Sequence, residues 1–210
     1  MTKIVCISDT HGKDMWLDLP KCDILLFCGD FGITNESSLH YANYWFNKQD
    51  ATHKIFVAGN HDTYLQKIGK EKCKELFPTV IYLQDELIEI EGLRIYGSPW
   101  CPEFNRWAFM KPRRSEDLKE IWSKIPENLD FLLTHCPPYG VLDRNTNDER
   151  CGCEVLIREL INKRPKRHLF GHIHGLGKKS VTQEDISFFN CSVLDEDYEM
   201  TNNPTIIEIN

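Results

Sequence analysis

The sequence predicts an α/β fold with two mixed sheets flanked by helices, and three observations point there. The chain opens on apolar runs alternating with helix-spaced stretches, a β-α-β-α pattern whose adjacent strands should be parallel through right-handed crossovers. From residue 80 short strands follow at close spacing, which should begin a second, more antiparallel sheet. Polar motifs fall directly after apolar runs, at the strand ends where open α/β sheets place their ligands.

Residues 3–8 and 24–28 are continuous apolar runs, as expected of strands covered on both faces. Residues 14–20 have room for a short helix. Ser37 or Ser38 would cap a helix through Leu39, Tyr41, Ala42, Trp45 and Phe46, spaced by three and four. Residues 54–58 form the third strand, and a helix over 64–76 stops before Pro78. Residues 80–83, 87–90 and 93–97 read as strands, with Glu91-Gly92 as a hairpin turn. Residues 98–112 lack a period but carry Trp100, Phe104, Trp107 and Phe109. A helix over 115–124, a strand over 131–133 and a polar loop over 139–151 come next. In the helix over 153–164, Leu156 pairs with Leu160 and Ile157 with Ile161. A strand over 168–170, then antiparallel strands at Val181, 186–189 and 206–209, close the chain. No repeat, low-complexity tract or linker divides it, so residues 1–210 are expected to form one domain.

Bulk properties narrow the function. The net charge of −7 opposes a broad basic face, so duplex nucleic acid is not the expected partner. No run of 18 apolar residues suggests a membrane span. Residues 1–6 enter a strand at once, without the pattern of a signal peptide, which leads to the expectation of a cytoplasmic protein. The nine cysteines are scattered, mostly inside apolar runs, as buried thiols of a reducing compartment would be. Cys151-Gly152-Cys153 is too tight for a structural zinc knuckle.

Five motifs carry the chemistry: Asp9-Thr10-His11, Gly29-Asp30, Gly59-Asn60-His61-Asp62, Thr134-His135 and Gly171-His172-Ile173-His174. The last two histidines share a face if the backbone is extended, and can diverge toward different ions in a loop leaving a strand. The candidate ligands are Asp9, His11, Asp30, Asn60, His135, His172 and His174. This N/O set suits Mn, Fe, Zn or Ni better than Ca. Seven ligands are too many for one catalytic ion and suit two sharing a carboxylate bridge, one oxygen to each. Taken singly, each motif is weak, since a lone His at a strand end is more often a hydrogen-bonded residue and Gly-Asp is often only a turn. Their joint placement on strand ends supports the metal reading.

In that order and completeness the motifs resemble those of the calcineurin-like metallophosphoesterases. The resemblance implies a four-layer α/β/β/α sandwich. It implies one ion on Asp9, His11, Asp30 and His174, and a second on Asp30, Asn60, His135 and His172, with His61 unligated and facing substrate. Gly97-Ser98-Pro99-Trp100, Trp107-Ala108-Phe109 and Thr134-His135-Cys136-Pro137-Pro138 look like the small metallophosphoesterase-domain-containing phosphodiesterases, which implies diester hydrolysis, cyclic nucleotides among the substrates. Some members of that branch lack a histidine of the last motif; here both are kept. In the protein-phosphatase branch an Asp-Arg-Gly lies near Gly-Asp, whereas Phe31-Gly32-Ile33-Thr34 follows Asp30. That departure removes an arginine phosphate clamp and an acidic partner for His61.

The expected enzyme is a phosphodiesterase with two divalent transition-metal ions, Mn2+ first, acting on a small phosphodiester or nucleotide. A metal-bridging hydroxide would attack phosphorus in line. Asn60 would neutralise phosphoryl charge, and His61, as imidazolium, would protonate the leaving oxygen. The aromatic segment would be either a wall for a base, through Trp107, or core packing by Trp107 and Phe109. Arg106, Arg113 and Arg114 flank it as candidate phosphate contacts. His40, His53 and His168 carry no assigned chemistry. The alternatives are a phosphomonoesterase, a nuclease or a non-catalytic metal-binding scaffold. Nothing in the sequence sets the oligomeric state.

Overall fold

A computed structural model describes residues 1–209. The strands are β1 (Thr2–Ile7), β2 (Cys22–Cys28), β3 (Ala51–Val57), β4 (Ile81–Tyr82), β5 (Glu86–Ile90), β6 (Leu93–Ser98), β7 (Cys101–Pro102), β8 (Met110–Lys111), β9 (Phe131–Thr134), β10 (Arg167–Phe170), β11 (Ser180–Gln183), β12 (Ile186–Asn190) and β13 (Thr205–Ile209). The helices are α1 (Glu36–Lys48), α2 (Thr63–Ile68), α3 (Lys70–Leu76), α4 (Glu116–Ser123) and α5 (Glu154–Lys163). One sheet has the order β13-β1-β2-β3-β4 and the other β11-β12-β10-β9-β6-β5.

Strand alternation sorts the core into three apolar layers. On β1, Val5 and Ile7 face out toward α1 and its neighbours, while Ile4 and Cys6 face the second sheet. On β2, Leu25 and Phe27 point outward and Ile24, Leu26 and Cys28 inward. The second sheet mirrors this, with Phe131, Leu133 and Leu169 inward and Leu132 and Phe170 outward against α4 and α5. Both faces of each central strand are therefore buried, which is why those strands read as unbroken apolar runs. The result is the expected helix–sheet–sheet–helix sandwich.

Several expected details differ. Residues 80–83 do not open the second sheet; β4 extends the first, parallel to β3 through Ile55–Ile81 and Phe56–Tyr82. The second sheet is parallel at its centre, from β12 through β10 and β9 to β6, and antiparallel only at its edges β11 and β5. The helix expected over 64–76 is broken at Gly69, whose φ of 83° lies outside helical space. Residues 14–20 yield only a 3₁₀ turn at Asp14–Trp16. Asn35, not Ser37 or Ser38, caps α1, and Ser38 completes a reciprocal capping box. The Glu91-Gly92 turn is as expected, with both φ values positive, at 51° and 73°.

His168 on β10 is a structural histidine. It is fully buried, its Nε2 lies 2.8 Å from Thr134 Oγ1, and its Nδ1 has no partner among the described residues. Thr134 Oγ1 already donates to the Cys136 carbonyl, so Nε2–H donates to Thr134 and the ring is neutral. Burial pushes its pKa down to about 3. Because the unfolded chain takes up this proton near pH 6.5, the contribution to stability is full above that pH. It falls by about 1.4 kcal/mol per pH unit on acidification toward pH 3. In urea unfolding between pH 7 and 5, His168→Gln should flatten the decline seen in the parent protein. An unchanged slope would refute this assignment.

Candidate metal centre

The five motifs do converge. Asp9, His11 and Asp30 sit on loops leaving β1 and β2, Asn60 and His61 on the loop after β3, and His135 just past β9. His172 and His174 follow β10. Asp9, His11, Asp30 and His172 have φ values of 58°, 46°, 59° and 70°. Such left-handed backbone costs a non-glycine residue about 1 kcal/mol or more each, and it turns these side chains inward off the strand ends. The flanking glycines are required by space: a Cβ on Gly59 would lie 2.2 Å from Asp30 Oδ1, and one on Gly171 2.1 Å from Asp9 Oδ2. Asp62 braces the loops, accepting backbone N–H groups of Asp30, Gly32, Ile33 and Gly59 at 2.8–3.0 Å.

Two groups of ligand atoms meet at Asp30. On one side Asp9 Oδ1 lies 3.5 Å from His174 Nε2, His174 Nε2 3.3 Å from His11 Nε2, and His11 Nε2 3.6 Å from Asp30 Oδ2. On the other, His135 Nε2 lies 3.2 Å from Asp30 Oδ2, 3.0 Å from Asn60 Oδ1 and 3.2 Å from His172 Nδ1. The same Asp30 oxygen, Oδ2, faces both groups; Oδ1 accepts the backbone N–H of His61 at 2.7 Å. This differs from the expected carboxylate with one oxygen toward each side.

The donor chemistry fits divalent cations. His135 Nδ1 lies 2.9 Å from the Cys28 carbonyl and His174 Nδ1 3.2 Å from the Asp195 carbonyl, contacts that place the ring proton on Nδ1 and leave Nε2 a bare lone pair. The acceptor oxygens of Asn60 and Asp30 then crowd the His135 lone pair at 3.0 and 3.2 Å, a convergence that a cation or a proton on Nε2 relieves. Donors bound at about 2.1 Å to one ion lie roughly 3.0–3.4 Å apart, close to the separations here. Charge tells the same story. Burial pushes Asp9 and Asp30 up, but His174 and His135 beside Asp9 bring it down to about 2, and His135 and His11 hold Asp30 well below the usual carboxylate range. Burial pushes His135 down, yet Asp30 more than reverses this and raises it to about 10. The pocket demands positive charge.

His61 stands beside this centre, its ring grouped with His11 and Asp30. A cleft of about 580 Å³ opens over the residues, lined by Asn60, His61 and His172 and, from outer loops, by Phe104, Arg113, Asn145, Arg150, Glu196 and Tyr198. Arg113 is held by the Gly152 carbonyl and Glu154, and Arg150 by Asp143 at 2.7 Å. Arg114 pairs with Glu154. Arg106 is exposed and is not among the residues lining the cleft. The aromatic segment divides. Phe109 is buried in the core, whereas Trp107 is 43 % exposed with its ring 4.2 Å from that of His61. Tyr198 has no local motif to announce it, yet its ring lies 5.1 Å from His11 and 4.9 Å from His174.

The family model of calcineurin-like phosphoesterases matches residues 2–176. Over 99% of the chain, identity is 35% to UPF0046 protein T07D4.2 of Caenorhabditis elegans and 34% to human metallophosphoesterase domain-containing protein 1. The chain spans 60% and 71% of those two proteins. Among solved structures, phosphopantetheinyl hydrolase of Mycobacterium tuberculosis superposes with a TM-score of 0.64 at 13% identity, covering 93% of this chain and 90% of that one. GAP50 of Plasmodium superposes at 0.56 and 12% identity, covering 98% and 80%; both likenesses concern the fold. The chain belongs to the calcineurin-like phosphoesterase family. Membership and the clustered ligand groups together support a metal-dependent phosphoesterase. No helix among the described residues is long and apolar enough to cross a membrane.

Proposed function

We propose that this chain, acting as one domain, is a two-metal phosphodiesterase for small phosphodiesters, cyclic nucleotides among them. The observation that carries the reading is Asp30 Oδ2, set between two nitrogen-rich groups of ligand atoms. Asp9, His11, Asp30 and His174 would hold one divalent ion, and Asp30, Asn60, His135 and His172 the other, Mn2+ being the first choice. Bound there, the ions supply Lewis acidity at the phosphoryl oxygens and a nucleophile near neutral pH. The chain's own groups do the rest. Asn60 orients the phosphoryl group, and His61, at the cleft wall, gives its proton to the departing oxygen. Arg113 and Arg150, pinned by carboxylates, face the remainder of the substrate. A cleft of about 580 Å³ suits a small ligand. The free cysteines, all buried but Cys151, favour a reducing compartment such as the cytoplasm.

The test is turnover of bis-nitrophenyl phosphate, nitrophenyl phosphate and 2′,3′- and 3′,5′-cyclic nucleotides with Mn, Ni, Zn, Mg or chelator. Diester turnover should exceed monoester turnover and vanish with chelator. Faster monoester turnover would overturn the diesterase reading.

A further inference from the structure

The His61 ring has no hydrogen-bond partner among the described residues; only its backbone N–H is bonded, to Asp30 Oδ1. No carboxylate among the described residues is hydrogen-bonded to the ring, the nearby Asp30 Oδ1 being taken by the backbone N–H. Instead the ring is bracketed by two others. Trp107 lies over it at 4.2 Å and 38°, and His11 meets it edge-on at 4.8 Å and 78°. The segment bearing Trp107 is fastened to the segment bearing His61. Ala108 N–H donates to the Asn60 carbonyl at 3.0 Å, and Phe109 N–H to Gln66 Oε1 at 2.9 Å, with Phe109 buried beneath. The indole is thus held in place although it is 43 % exposed and adds little to the core.

We propose that Trp107 is the positioning residue for His61, its ring face doing the orienting that an acidic partner would otherwise do. The inference rests on the reading of His61 as proton donor to the leaving oxygen. An imidazole fixed in plane and tilt keeps its N–H aimed at that oxygen; one free to turn about χ1 and χ2 spends most of its time misaimed. The effect should appear only where the leaving group needs a proton.

The test is kcat of the metal-loaded protein across aryl phosphodiesters from nitrophenolate to phenolate leaving groups, with metal content by elemental analysis. Trp107→Leu should slow the phenyl diester about tenfold and the nitrophenyl diester by less than about twofold, with both metals retained. Trp107→Phe should restore most of the loss. Added to His61→Gln, Trp107→Leu should change nothing further. Equal losses across the series, additive losses in the double variant, or loss of metal from Trp107→Leu would each overturn the proposal. If His61→Gln steepens the leaving-group dependence and Trp107→Leu does not, the inference falls alone. If His61→Gln leaves it unchanged, the proton-donor reading falls too.

Discussion

Asp30→Asn is expected to lower kcat by about a thousandfold or more and to leave no more than one tightly bound metal per chain. The reason is geometric. Oδ2 of Asp30 is 3.6 Å from His11 Nε2 and 3.2 Å from His135 Nε2, so one oxygen serves both groups of ligands. An amide is a poorer donor and carries no charge, and the histidines around it would lose the carboxylate that sets their charge balance. The loss of one preorganised electrostatic group alone typically costs about 10²–10³ in kcat, and in the proposed centre both ions would depend on this one. The variant should still fold, because the brace at this corner is Asp62, which bonds the backbone N–H of residue 30 and not its side chain. Two retained metals with near-parental turnover would exclude Asp30 as the shared ligand.

His61→Gln should cut kcat by about 10²–10⁴ for diesters with poor leaving groups while both metals stay bound. Nitrophenyl diesters should suffer far less, since nitrophenolate leaves with little help. His61 lies within reach of His11 and Asp30, so the competing assignment is an additional metal ligand. Elemental analysis separates the two: metal lost from His61→Gln would move His61 into the ligand set.

The candidate ligands were legible because each motif begins within two residues of the end of a buried strand, where open α/β sheets gather their ligands. The layers were legible for a related reason: runs such as Ile24 to Cys28 are apolar on both faces, which only a doubly covered strand tolerates. What stayed hidden depends on partners distant in sequence. A short apolar segment such as Ile81–Tyr82 declares itself a strand but not which sheet it joins, and β12 is antiparallel to one neighbour and parallel to the other. Arg113 reaches the cleft because it is held 39 residues away at Gly152, and no local pattern encodes that. Tyr198 comes from a loop whose turn is made by Asp195 side-chain bonds to residues 197 and 199, a feature shared with many loops that touch no site. Trp107 is the instructive case. Aromatic content alone left base wall and core packing as the choices, and the folded chain sets its ring against His61.

The most direct measurement is anomalous diffraction from crystals soaked in Mn2+. Two peaks should appear roughly 3.5–4 Å apart, with Asp30 Oδ2 bonded to both, Asp9, His11 and His174 around one and Asn60, His135 and His172 around the other. A single peak, or two that do not share Asp30, would contradict the two-ion centre.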